Sequence, residues 1–228
     1  MLELFKRLVI FVLKSPENPV KKMLRDLFYG EVVLERIVEY PVFFSLTGYK
    51  GKSEKRKVLD VGCYYSNFPI QLASMGFKVW GIDPEPYQLI HPNFTFIQGD
   101  VTKTDFKSGF FDIVTSVSTI EHIGLGFYKD KNQNSGDTAA VEEISRILKK
   151  GGLFVLSVPY SKSFRLGKTQ RFYDTKHINI LLSSKFKITN RLLYASYKGK
   201  WMPVDEDKVW NTRGETTSIV AIITATKK

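Results

Sequence analysis

The side chains best suited to chemistry stand within or just past short apolar runs. Asp60 lies in Lys57-Val58-Leu59-Asp60-Val61-Gly62, and Asp83 follows Val79-Trp80-Gly81-Ile82. Asp100 and Val101 follow Phe94-Thr95-Phe96-Ile97-Gln98-Gly99. Ser116 ends Phe111-Asp112-Ile113-Val114-Thr115-Ser116, with Glu121-His122 shortly after it. A glycine at Gly62, beside Cys63, lets the backbone pass close to a ligand. A carboxylate about 20 residues further on, here Asp83, is placed to take ribose hydroxyls. His122 is the candidate general base, because imidazole changes protonation near neutral pH. Glu121 could orient that ring or serve a metal. His91 and His177 read as surface or loop residues.

The elements that must carry these groups alternate. Lys57–Val61, Phe77–Ile82, Phe94–Ile97, Phe111–Ser116 and Leu153–Val158 read as strands. Phe68–Met75 reads as a helix, with Ser66 or Asn67 as N-cap, Pro69 in its first turn and Gly76 past its end. Asp137–Lys150 reads as an amphipathic helix with Val141, Ile144, Ile147 and Leu148 inward, stopped by Gly151-Gly152. Strands alternating with helices imply an α/β fold, a doubly wound, mostly parallel Rossmann-like sheet with right-handed crossovers. Such sheets bind ligands at the carboxyl ends of their strands, which puts Gly62, Asp83, Asp100 and Ser116 on one rim. Two late runs, Phe186–Tyr197 and Ser218–Thr226, suit an antiparallel pair at the sheet edge. Residues 1–52 read as a helical N-terminal extension, broken at Ser15-Pro16, Asn18-Pro19 and Tyr40-Pro41, and residues 53–228 as the α/β domain.

Taken in order, these motifs resemble those of the class I S-adenosylmethionine-dependent methyltransferases, over about residues 56–160. Val58-Leu59-Asp60-Val61-Gly62-Cys63 resembles the first motif of that superfamily, Gly81-Ile82-Asp83 the second and Gly99-Asp100-Val101 the adenine-side motif. Phe111-Asp112-Ile113-Val114 resembles the fourth, and Leu148-Lys149-Lys150-Gly151-Gly152-Leu153 the turn before the fifth strand. The resemblance implies S-adenosylmethionine as cofactor, with Asp60 near its methionyl end and Asp83 on its ribose. It also implies Asp100 with the Val101 backbone at the adenine, and Ser116 and Val117 beside the methyl group. Asp112, at the start of a strand, reads as structural. Ser118–Tyr128 resembles a microbial branch associated with surface glycan assembly, so the implied acceptor is a hydroxyl of a sugar or other small or glycan molecule. Relatives that bind a divalent ion at a Glu-His pair use a glutamate three positions earlier. Ser118 stands there in this chain, and no metal is expected. The superfamily also carries further glycines after its first motif, where this chain has Tyr64-Tyr65-Ser66. Either the loop tolerates the rings, or cofactor binding is weakened and the domain is a non-catalytic binding module.

Composition bounds the rest. The chain has 228 residues, 43% of them hydrophobic, enough for one domain with an appendage. One cysteine excludes a disulfide framework and fits a reducing cytoplasmic setting. With 34 Lys and Arg against 23 Asp and Glu, the net charge of +11 favours acidic partners. Arg165, Lys168 and Arg171, with Phe164, Phe172 and Tyr173, could bind an acidic sugar or phosphate, or stack on a nucleobase. RNA methylation is thus the rival activity. It lacks support from any Asn-Pro-Pro-aromatic or Asp-Pro-Pro-aromatic stretch, or from an appended RNA-binding module. Met1–Lys14 is too short to span a membrane, which takes about 18 residues. It reads as an amphipathic helix that packs on the domain or a partner, or rests on a membrane surface. Oligomeric state is not legible.

Overall fold

The computed structural model describes residues 34–48, 56–126, 135–214 and 216–228. The Met1–Lys14 segment and the boundary at 52/53 lie outside them. The described residues begin with helix α1 (Arg36–Thr47) and continue through β1 (Lys57–Val61), α2 (Phe68–Ser74), β2 (Lys78–Asp83), β3 (Phe94–Gln98) and β4 (Phe111–Val117). A 3-10 turn at Ile120–His122 leads to α3 (Gly136–Ile147) and β5 (Leu148–Pro159). A small hairpin of β6 (Arg165–Leu166) and β7 (Arg171–Phe172) precedes α4 (Thr175–Leu182). The chain closes with β8 (Phe186–Tyr197), β9 (Lys200–Pro203) and β10 (Ile219–Lys227).

The main sheet runs β3-β2-β1-β4-β5-β10-β8-β9. Its first five strands are parallel, and β10, β8 and β9 continue it antiparallel. Helices cover both faces, as the sequence predicts. One face buries Leu59, Val61, Ile82, Val114, Ile144 and Ile178 under α3 and α4. The other buries Val58, Val79, Ile113 and Val155 with Phe43 of α1 and Phe68 and Leu72 of α2. Register fixes the rim: Val61 lies opposite both Ile82 and Ser116, so Gly62, Asp83 and Val117 emerge side by side.

Helix α2 starts as its sequence implies. Asn67 is the N-cap, but its side chain makes no capping bond. Instead Ser66 Oγ accepts the Phe68 N–H at 3.0 Å. Three features differ from expectation. First, α1 runs through Pro41 rather than breaking there. Pro41 withholds one N–H, and the Tyr40, Phe43 and Phe44 rings, within 5.0–5.7 Å of Phe68, hold the helix in place. Second, α3 stops at Ile147 and Leu148 already pairs with Phe111. The next pair on this ladder is Ile113 with Leu153, so the residues between loop out around Gly151, whose φ is +70°. Third, the antiparallel edge forms as expected from the two late runs but is one strand wider. Ile219–Ala225 of β10 is buried throughout because both its faces are covered, and β10 lies between β5 and β8. The exposed β9, absent from the sequence reading, takes the edge.

Replacing Phe68 by Ala should destabilise the protein by about 3–5 kcal/mol, read from urea denaturation midpoints. Tyr65→Ala nearby, at a side chain 91% exposed, should change stability by no more than about 0.5 kcal/mol.

Candidate functional site

The rim is built around a buried acid in the middle of the sheet. Asp60 is enclosed between β2 and β4, and its carboxylate accepts one hydroxyl, Thr115 Oγ1, at 2.8 Å. Burial pushes its pKa up to about 7, against the partial relief that Thr115 and Arg36 give. Gly62 follows with φ +79°, and a Cβ there would overlap the Thr119 side chain. The position therefore excludes every larger residue twice over, by backbone conformation and by space. Cys63 is fully buried and its thiol is pushed upward by that burial, so it is packing rather than a nucleophile.

Asp83 anchors the first loop. One oxygen accepts the Tyr64 N–H at 3.0 Å and the other the Glu85 N–H at 2.9 Å. A carboxylate has about four lone-pair sites, so capacity for two hydroxyls remains. The departure at Tyr64-Tyr65-Ser66 resolves into a defined loop. The two rings lie against each other, 4.0 Å apart, with Tyr65 turned out to solvent. Ser66 ties the loop down from two sides: its Oγ bonds Tyr40 Oη of α1 at 2.8 Å, and its carbonyl accepts Tyr87 Oη at 2.6 Å. Asp100 is exposed and spends one oxygen on the Thr102 N–H, at 2.8 Å, while Val101 is buried. Ser116 lies just inside the end of β4, fully buried, with its Oγ unpartnered. Asp112 holds the Lys57 N–H at 2.9 Å, a structural role as expected.

Beyond β4 the chain turns sharply. Ser118 has φ +42° and its Oγ donates to Glu39 Oε1 of α1 at 2.6 Å. His122 Nδ1 lies 2.6 Å from the Thr169 carbonyl. A carbonyl only accepts, so Nδ1 carries the proton and Nε2 is the basic nitrogen of the neutral ring. Nε2 is 3.8 Å from Glu121 Oε1. Glu121 itself is fully buried, and burial, followed by the nearby Glu39 charge, holds its pKa well above the ordinary range.

Of the basic residues noted at Phe164–Tyr173, Arg171 is committed inside the fold, while Lys168 is exposed. Arg171 is buried: it donates to the Glu121 and Ile123 carbonyls at 3.3 and 2.8 Å and lies 3.4 Å from Asp137. Arg165 stacks on Phe172, 3.6 Å from the ring centre, and Tyr173 donates to Asp137 at 2.8 Å. The antiparallel hairpin turns these residues inward, which their spacing alone did not reveal. His177 is likewise no loop residue; it lies in α4, stacked on Phe164 and bonded to Asp174. Sequence reasoning missed Arg36, Glu39 and Tyr40, which reach the rim only because α1 folds back across it.

The geometry suits a ribose-bearing cationic cofactor: a buried carboxylate with one donor, a strand-end acid with spare acceptor capacity, and a glycine cradle. Residues 59–156 match the family model described as a methyltransferase domain. A yeast (Saccharomyces cerevisiae) protein-lysine N-methyltransferase, EFM4, is 27% identical over 129 residues, 56% of this chain and 51% of its own. The chain thus spans about half the length of that curated relative. Among solved structures, a Methanosarcina mazei S-adenosylmethionine-dependent methyltransferase aligns at TM-score 0.55 and 17% identity, over 76% of this chain and 93% of its own. The Burkholderia thailandensis 1,6-didemethyltoxoflavin-N1-methyltransferase, solved with its substrate and S-adenosylhomocysteine, aligns at 0.56 and 15%, over 94% and 92%. Residues 59–156 thus match a methyltransferase domain, and the fold is that of solved S-adenosylmethionine-dependent methyltransferases.

Asp60 also sets a pH dependence. The folded protein keeps it protonated up to about pH 7, whereas the ordinary value is 3.8. Its contribution to stability is therefore complete below pH 3.8 and is lost as pH rises through about 7, on the order of 4 kcal/mol in all. Thermal unfolding of the cofactor-free protein should show a lower Tm at about pH 8 than at about pH 5, and Asp60→Asn should flatten that difference.

Proposed function

We propose that this protein transfers the methyl group of S-adenosylmethionine to a hydroxyl of a small or glycan acceptor, with His122 removing the acceptor's proton. The observation that carries this reading is the Nδ1 contact of His122 with the Thr169 carbonyl, which makes Nε2 the base. The cofactor supplies an electrophilic methyl group on a sulfonium. Asp60 places negative charge near its cationic end, and Asp83 takes its ribose hydroxyls. Asp100 and Val101 flank the adenine, and Gly62, Cys63 and Ser116 shape the cradle. Transfer is an in-line displacement, so the protein's main task is to hold donor and acceptor aligned. Glu121, 3.8 Å from Nε2, orients the ring.

The glycan class rests on the Ser118–Tyr128 stretch. The named relatives act on a protein lysine and on a small heterocycle, so neither chooses the acceptor by itself. The lone cysteine supports a cytoplasmic location. The amphipathic Met1–Lys14 segment supports contact with a membrane surface. Its deletion should reduce flotation with anionic liposomes, and unchanged flotation would remove that contact from the reading.

His122→Ala should lower turnover by about 10²–10⁴-fold while leaving S-adenosylhomocysteine affinity unchanged in calorimetry. Asp83→Ala should abolish that affinity. If the wild-type protein does not bind S-adenosylhomocysteine, it is a non-catalytic module. Methylation of RNA but of no glycan, assayed side by side with labelled cofactor, would reject the sugar acceptor.

A further inference from the structure

The net charge of the chain is +11, yet the side chains gathered beside His122 are largely acidic. Glu121 is fully buried, and among the described residues neither of its carboxylate oxygens has a hydrogen-bond partner. Glu39, also fully buried, faces it from α1, accepting Ser118 Oγ on one oxygen and the Arg36 guanidinium on the other. Glu35 lies 3.9 Å from the same guanidinium. Two carboxylates thus share the Arg36 guanidinium, and among the described residues the third, Glu121, has the imidazole of His122 as its one cationic-type partner within 4 Å. Arg171 donates to the main-chain oxygens of Glu121 and Ile123 and forms no hydrogen bond to the Glu121 carboxylate.

A desolvated carboxylate with no donor is costly and persists where something outside the chain completes it. The cluster is not sealed: the Glu35 and Arg36 side chains, 17% and 35% exposed, carry it to the surface at the first turn of α1. A compact ammonium offers three donors and a point charge, which suits a carboxyl group without a donor, Glu121, beside a second one, Glu39, that is already paired. An acidic sugar or a phosphate would meet repulsion here.

Building on the methyl-transfer reading, we propose that this cluster receives a protonated primary amine of the acceptor, an amino sugar in the glycan reading, between Glu121 and Glu39. The amine sits beside His122, so the methylated atom is either that nitrogen once deprotonated or a hydroxyl next to it. Glu121 then selects acceptors by charge, while Asp60 and Asp83 hold the cofactor.

The test uses the full chain saturated with S-adenosylhomocysteine, titrated calorimetrically at slightly acidic pH with paired probes. One pair is glucosamine and N-acetylglucosamine; the other is a lysine peptide and its Nε-acetylated form. The amine should bind at least about tenfold more tightly than its amide, and Glu121→Gln should remove that preference without changing S-adenosylhomocysteine affinity. If E121Q loses S-adenosylhomocysteine binding through misfolding, E39Q is measured in its place and should show the same loss of preference. Equal binding of amine and amide, no binding of either amine, or a preference that survives the substitution overturns the proposal. A preference confined to the lysine peptide keeps the ammonium site and overturns the amino sugar. Failure of the wild-type chain to bind S-adenosylhomocysteine is a separate result, which rejects the cofactor reading itself.

Discussion

Everything at the site depends on the register of β1 between β2 and β4. The pairing of Val61 with Ile82 and with Ser116 brings three chain segments, far apart in sequence, to one edge in a common plane. Parallel pairing of this kind needs crossovers, and the crossovers put helices on both faces. The strands are therefore buried on both sides, and a polar residue among them must find its own partner. Asp60 does so only in part, through Thr115. A central strand thus stores an acid in a place where a cation is welcome, at the mouth of a cradle that only glycine permits.

Helix α1 converts this open rim into an enclosed site. Phe43 anchors it in the core of one face. Tyr40 then bonds the Ser66 hydroxyl of the first loop, and Glu39 bonds the Ser118 hydroxyl of the turn after β4. One turn of helix touches both loops that flank the cofactor position. Ser66 gains importance from this arrangement. It caps α2, receives Tyr40 and Tyr87, and so gives a loop without the usual glycines a fixed path. The tyrosines that looked like an obstruction lie against each other, with Tyr65 directed to solvent.

Charge is divided between surface and site. The chain is basic as a whole, yet the side chains gathered near the rim are largely acidic: Asp60, Asp83, Glu35, Glu39 and Glu121, with Arg36 among them. This distribution is electrostatically consistent with holding a cationic ligand. The arginines of the β6–β7 hairpin are used otherwise. Arg171 ties the hairpin to the 3-10 turn that bears Glu121 and His122, and so helps to fix that turn.

The sequence by itself determined the parallel half of the fold and the order of the cofactor motifs. Those follow from local rules: apolar runs of strand length, glycines at helix ends, and acids just past strand ends. It also marked His122, because a histidine just beyond a strand end has few local roles. Only the tertiary structure decided what surrounds that histidine. The distance from Thr169 to His122, the burial of Arg171 and the approach of Glu39 to Ser118 join segments with no common periodicity. The same holds for β10, whose apolar run marked it as one of an antiparallel pair but could not say that it lies between β5 and β8. Spacing along a chain encodes secondary structure and the residues beside it; which side chains desolvate one another is settled by packing between elements, and at this site that packing gives Glu121 and Asp60 their chemistry.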